Sequence, residues 1–380
     1  MRFAWQETVE RLATWQPVRR LASAIALDRA FRHLVELDHA DPARTQMRVL
    51  RGLVHRARNT TFGRSHDFAR IRTHADYKRL VPLSTAADYL PEGFNRGSSL
   101  LASCPGPVLS WLQPPGSRFP VPVSSELLST FDKAMATAIG HILTARPRER
   151  LLNGQTVVLN DDGTQPLQAA IKHWHPAWRS CVWAGMPVAL SERPGQQMTC
   201  LVAGPAGILQ MLNEARRQSG HLALRAIWPD LCAIVCIRSG STAAADSLRR
   251  AVPDESILTL EAWCDNAGPV AIEDPRHNSL RLFTDHGVFW EFIPIESLSS
   301  EPERLTVGSI EVGGRYALAM SSPAGVWSYL LREQIVVENC APVLIQVLEN
   351  PPLLAPARKK QGQSARMSLR RPLALLKSES

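Results

Sequence analysis

No stretch of this 380-residue sequence reaches the roughly 18 consecutive apolar residues that a membrane-spanning helix needs, so no membrane span is predicted. The N-terminus does not read as a secretory signal, because Glu7 comes early and no apolar run follows it. Aromatic residues are only 6% of the chain and do not interleave with its basic residues as stacking platforms would. The net charge of +8 therefore does not predict a nucleic-acid surface. Its clearest one-sign run is the tail, where Arg358, Lys359, Lys360, Arg366, Arg370, Arg371 and Lys377 meet only Glu379, and such a run reads as a solvated, disordered end. Seven cysteines, odd in number and scattered from Cys104 to Cys340, suit a reducing cytoplasm better than a disulfide framework. A soluble cytoplasmic protein is expected, without membrane or nucleic-acid partners.

Common chemical signatures are missing as well. The sequence has no Gly-x-Ser-x-Gly elbow, no Walker-type phosphate loop, no Gly-x-Gly-x-x-Gly and no His-Glu-x-x-His. His173 and His175 offer two ligands on one strand face, but no Cys, Asp or Glu stands at ligand spacing, so a pair of structural histidines is expected. Cys232 and Cys236, four apart in an apolar run, are expected on one face of a core strand.

What is present is the texture of an α/β fold. With 45% hydrophobic and 21% charged residues, the chain can build one large domain or two smaller ones. Up to about residue 95 it reads as helical, with apolar residues at three- to four-residue spacing through Trp5–Leu34 and Met47–Val54. Asp41-Pro42 is an N-cap followed by proline at the first helical position, and Thr73 with Asp76 forms a capping-box pattern. From about Val108, short apolar runs such as 156–159, 232–237, 256–260 and 288–293 read as buried strands. Helical segments over 125–143, 207–218 and 241–251 sit between them, which predicts an α/β architecture. Between Arg304 and Ser321, Val307, Ile310 and Val312 on one side of Gly313-Gly314 and Tyr316, Leu318 and Met320 on the other predict a hairpin. The ordered domain is expected over about 1–350, followed by a basic, disordered tail over 351–380.

Several segments together resemble the auxin-responsive Gretchen Hagen family of acyl acid–amido synthetases, within the superfamily of acyl-adenylating enzymes. They are Asn59 to Phe68, Tyr77, Val81-Pro82-Leu83, Trp228 to Leu231, Trp290-Glu291-Phe292-Ile293-Pro294, Val312 to Tyr316, and Ala324 to Tyr329. The resemblance implies the large N-terminal domain of an adenylate-forming enzyme, with sheets flanked by helices. It also implies an activity in which ATP and a carboxylate give acyl-AMP, and an amine then displaces AMP.

The same resemblance places three ATP-handling motifs, all altered here. The phosphate loop, rich in Ser, Thr and Gly in the family, corresponds to Trp111–Pro122, where only Gly116, Ser117 and Arg118 readily meet an anion. Pro114 and Pro115 have no amide hydrogen to give. If each lost charge-assisted bond is worth about 1.5–3 kcal/mol, losing two or three weakens phosphate binding roughly 10²-fold or more. The second motif corresponds to Trp263–Pro269, where Ala267 replaces the family's magnesium-holding Glu. Asp265, two residues away on a strand, points to the same face and is the candidate substitute metal ligand, against the stronger reading that the ligand is lost, with Asn266 and Gly268 as candidates beside the nucleotide. The third motif corresponds to Ser328–Glu333, in which Glu333 keeps a ribose-binding carboxylate while both family arginines and a glycine are replaced.

The family's C-terminal lid domain is expected to be absent. Together these departures predict a degenerate, non-catalytic relative, a pseudoenzyme that binds a small carboxylic acid or a protein partner. The alternative is a divergent ligase, in which ATP and magnesium bind through Arg118, Asp265 and Glu333 and the chain joins an acid to an amine or amino acid. Trp290 and Trp327 are candidate apolar walls of an acid pocket, although each alone suits a core.

Overall fold

A computed structural model describes residues 16–89, 104–112, 121–147, 151, 154–159, 181–184, 198–238, 248–298 and 302–348. Gly116, Ser117 and Arg118, the histidines at 173 and 175, and the tail from 349 onward lie outside the described residues.

The N-terminal helices follow from local signals. After α1 (Gln16–His39), the Asp41 carboxylate accepts from the amides of Ala43 and Arg44, and Pro42 opens α2 (Pro42–Ala57). Leu50, Leu53, Val54 and Ala57 recur at helical spacing and form its buried face. The chain then reverses tightly. Thr60 Oγ1 accepts from the Gly63 amide at 2.9 Å and caps α3 (Thr61–Ser65). A side chain at 63 would meet the Ala57 carbonyl oxygen at 2.1 Å, so only glycine fits there. The capping box of Thr73 and Asp76 opens α4 (His74–Leu80).

The short strands β1 (Val108–Leu112) and β2 (Val121–Ser124) pair antiparallel, and Ser124 then caps α5 (Ser125–Ala145). An eleven-stranded sheet carries the rest. One half is parallel: β4 (Cys181–Ala184), β3 (Gln155–Leu159), β5 (Met198–Ala203), β6 (Ala233–Arg238) and β7 (Leu258–Asp265), in that spatial order. Strands β5 and β6 are buried at every residue, as parallel strands covered on both faces must be. Beyond β7 the sheet continues antiparallel through β8 (Gly268–Asp274), β9 (Ser279–Leu282), β13 (Val343–Val347), β12 (Tyr329–Cys340), β11 (Arg315–Ser321) and β10 (Phe289–Pro294). Helix α5 contributes Leu127, Phe131 and Ile142 to the larger core, and α6 (Pro205–Ser219) and α7 (Leu224–Ile227) cover the opposite face of β5 and β6. The mixed α/β architecture, a large sheet flanked by helices behind a helical N-terminal segment, is the predicted fold class. Among the described residues, no helix is long and apolar enough to cross a membrane.

Two local expectations are corrected. Residues 307–312 do not form a strand of a hairpin: Val307–Ser309 is a 3-10 turn, and β11 pairs instead with β10 and β12. The Gly313 amide donates to the Val337 carbonyl and the Gly314 carbonyl accepts from Val337, so the segment leans on β12 and leaves Val312 exposed. Cys232 and Cys236 are both buried but pack in different clusters on opposite faces. Strand alternation begins only at Ala233, so the four-residue spacing does not carry back to Cys232.

Candidate functional site

The segments that carry the family resemblance meet in one buried knot. Glu291 of β10, with no exposed surface, receives Arg304 through Nε on Oε1 at 2.9 Å and Nη2 on Oε2 at 2.7 Å. His74 Nε2 of α4 lies 2.8 Å from Oε1, and Ser328 Oγ donates to Oε2 at 2.7 Å. Arg304 Nη1 also donates to the carbonyls of Lys78 and Val81, and the Tyr77 hydroxyl stands 2.7 Å from Ser321 Oγ. Burial alone would push the Glu291 carboxyl up, yet His74, Arg304 and Ser328 together hold it below the usual carboxylate range. Burial is also the main reason that the Tyr77 phenol is pushed well up and stays protonated. Every partner is satisfied, which is what a buried carboxylate requires.

The knot fixes the loop before β12. Ser328, at φ 45°, is wholly buried, and its amide donates to Ser321 Oγ. The Ser84 amide donates to the Ser328 carbonyl, and the Leu330 amide to the Ser84 carbonyl. The Trp327 amide donates to the Tyr89 hydroxyl. Ser328 stands where the family's third motif has its first arginine, and here that position serves the fold. Trp290 and Trp327 are fully buried in separate clusters and are not pocket walls. The Trp290 indole donates to the Phe283 carbonyl at 2.7 Å, and Trp327 packs edge-on against Phe68 with ring centroids 4.7 Å apart.

The second motif forms a tight turn between β7 and β8. Asp265 pairs with Gly268, and Asn266 and Ala267 make the connection. Strand alternation therefore stops at Asp265, and the expectation that it shares a strand face with Ala267 is corrected. Its Oδ1 instead accepts from the Ala267 amide at 2.8 Å. Ala267 is 2% exposed, and its carbonyl accepts from Ser322 Oγ at 2.6 Å. Gly268, at φ 156°, has Val288 Cγ2 3.2 Å from where a Cβ would stand.

Asp265 and Glu333 lie close enough for their charges to act on each other, together with Arg332 and Tyr329 of β12. Burial, then the Glu333 charge, pushes the Asp265 carboxyl up to about 6, against the pull of Arg332 and its bond from Ala267. Burial and Asp265 likewise push the Cys264 thiol up to about 12, which leaves it inert. The fold thus brings Asp265, Asn266, Gly268 and Glu333 to one end of the sheet. Magnesium finds no carboxylate at position 267, where the side chain is a methyl group packed in the core. The knot around Glu291 was not read from the sequence. His74 and Arg304 are 217 and 13 residues away from it, and no local pattern records such a meeting.

Residues 31–92 match the GH3 family N-terminal domain, and residues 281–348 match the GH3 family central domain. No curated protein matches the sequence. Among solved structures, the chain is similar to AtGH3.15 acyl acid amido synthetase in complex with 2,4-DB, with a TM-score of 0.62 and 12% identity, over 83% of this chain and 69% of that one. It is also similar to 2-hydroxyisobutyryl-CoA ligase in the postadenylation state in complex with 2-HIB-AMP, with a TM-score of 0.55 and 11% identity, over 80% of this chain and 66% of that one. At such identities the structures speak for the fold alone. The two matched segments contain the two sides of the Glu291 knot, and the chain carries a GH3 family N-terminal domain and a GH3 family central domain on a fold similar to that of adenylate-forming enzymes.

Proposed function

We propose that this chain is a non-catalytic relative of the acyl acid–amido synthetases, which keeps their fold to bind a small carboxylic acid or a protein partner. The observation that carries this reading is Ala267. It occupies the position of the family's metal-binding Glu, it is buried, and its amide and carbonyl are both engaged, by Asp265 and Ser322. Asp265 is a poor replacement, because a carboxyl pushed up to about 6 and tied to a neighbouring amide gives up part of its charge and one lone pair. The losses at Ser328 and Leu330 add to this, since two cationic side chains of the family motif are replaced by a fold-forming hydroxyl and an apolar residue.

A second reading, a divergent ligase joining a carboxylic acid to an amine or amino acid, draws on one observation. Asp265 and Glu333 share one end of the sheet with Arg332, so a rebuilt nucleotide site has two carboxylates at hand. Pyrophosphate exchange into ATP, measured on the purified chain with a panel of carboxylic acids, separates the two. Exchange at background supports the non-catalytic reading. Acid-dependent exchange that is lost in Asp265→Asn contradicts it.

A further inference from the structure

The segment from Pro42 to Leu80, which spans α2 to α4, holds nine arginines and Lys78 against only two acids, Asp67 and Asp76. Its net charge of +8 equals that of the whole chain, so the other residues, tail included, balance to zero. All ten cations are exposed. On α2 they form a line. Arg44, Arg48, Arg51, His55 and Arg58 follow one another at steps of four and three residues, which keeps them on one side of the helix. At 1.5 Å per residue the line is about 21 Å long. The buried side of the same helix, Leu50, Leu53, Val54 and Ala57, fixes its rotation and leaves the line facing solvent.

The fold does not neutralise this line. Asp67 reaches Arg70, at 3.9 Å, and Asp76 serves Arg79, at 3.5 Å, and the capping box. Among the described residues, the guanidinium groups of Arg44, Arg48, Arg51, Arg58, Arg64 and Arg72 make no ion pair. Arg51 Nε donates instead to the Arg72 carbonyl at 3.2 Å, which brings Arg72 beside the line. Like charges three and four residues apart destabilise a helix. Arg44 also stands in the first turn, the wrong end of the helix dipole for a cation. A surface kept for solubility alone would mix both signs. The line is therefore a cost to the isolated fold that an outside anion offsets.

Arginine's planar fork suits carboxylates and phosphates alike, so the rest of the surface decides between them. A single nucleic-acid strand stacks its bases on aromatic rings. No ring is free for that here: Phe68 and Tyr77 are buried, and Phe62 stacks on His66 with centroids 3.9 Å apart. A duplex carries a charge every 1.7 Å or so of its axis, and in any register across the segment it would also meet Asp67 and Asp76. A lipid surface needs an apolar anchor beside the basic patch, and no large apolar side chain between residues 42 and 80 is exposed. Discrete carboxylates on a protein can match the line and leave the places opposite the two acids neutral. We propose that the arginine line of α2 is the docking surface for an acidic helix of a partner protein, whose carboxylates recur at the same four- and three-residue steps. This extends the protein-partner branch of the non-catalytic reading and rests on it.

The test measures fluorescence anisotropy of two labelled, alanine-based helical peptides titrated with the full chain. One carries five glutamates on a single face at four- and three-residue steps, and the other scatters the same five around the helix. The one-face peptide should bind at least about fivefold more tightly, and raising salt from about 50 to 200 mM should weaken it. Replacing Arg44, Arg48 and Arg58 together by Gln should weaken it about tenfold, as the loss of three exposed ion pairs would. The same triple variant should melt no lower than wild type, because it removes repulsion and no buried contact. No nucleotide or substrate acid enters the measurement, so its failure leaves the pyrophosphate-exchange test of the non-catalytic reading standing. Equal binding of the two peptides, or wild-type affinity in the triple variant, overturns the proposal. So does tighter binding of a DNA duplex, a single RNA strand or phosphatidylserine vesicles that the triple variant loses, since the line would then serve phosphates.

Discussion

Arg304 grips both oxygens of Glu291, at 2.9 and 2.7 Å, with 5% and 0% of the two side chains left exposed. The pair closes the N-terminal helices onto the central sheet, because the same guanidinium holds the carbonyls of Lys78 and Val81. Removing one partner leaves a buried charge uncompensated, which costs about 3–5 kcal/mol. Arg304→Met should therefore destabilise the protein by that amount in urea unfolding. Glu291→Leu added to it should recover part of the loss, because neighbouring sites are not additive.

His141 of α5 is wholly buried 3.7 Å from Asp274, and neither ring nitrogen has a hydrogen-bond partner among the described residues. Burial pushes its pKa from 6.5 down to about 4, while Asp274 is held down to about 2 by Arg276 and by His141 itself, against its own burial. With a folded pKa below the unfolded one, the unfolded chain binds the proton first as pH falls. Stability should thus be lost between about pH 6.5 and 4, up to roughly 3 kcal/mol from this group. Thermal melts of His141→Leu across that range should show a shallower acid limb.

The Asp265 carboxyl shifts the opposite way, from 3.8 up to about 6. The folded state here holds its proton longer than the unfolded state, so its contribution weakens stability as pH rises from about 4 to 6. Part of the side chain stays in solvent, which trims the effect to about 1–2 kcal/mol. Asp265→Asn should therefore raise the melting midpoint at pH 7.5 and leave it almost unchanged at pH 4.

Gly63 offers a steric test of the reversal after α2. A methyl group there would stand 2.1 Å from the Ala57 carbonyl oxygen and 2.9 Å from its carbon, both backbone atoms. Gly63→Ala should cost at least about 2 kcal/mol, by denaturant unfolding, because the chain and not a flexible side chain must move.

Much of the fold was legible where the cause is local. Asp41-Pro42 and the pair Thr73 and Asp76 announce helix starts because a cap acts over three residues. The runs that became β3, β6 and β10 are apolar because the sheet buries them on both faces. The misreadings share one origin, a period carried past the end of its element. Cys232 precedes β6, Ala267 lies beyond β7, and Val312 belongs to a turn that β12 captures through its backbone. Of the candidate site residues, Asp265 and Glu333 lie within reach of each other's charge, a proximity that the sequence suggests only through the family resemblance. The Glu291 knot was not legible, because it joins residues far apart in sequence.

Calorimetric titration of the purified chain with magnesium-ATP tests most directly the proposal that this fold has lost its nucleotide site. No detectable heat of binding is expected at millimolar nucleotide, for wild type and Glu333→Ala alike. Saturable binding by the wild type that disappears in Glu333→Ala would contradict it, and would show a nucleotide site rebuilt around Glu333.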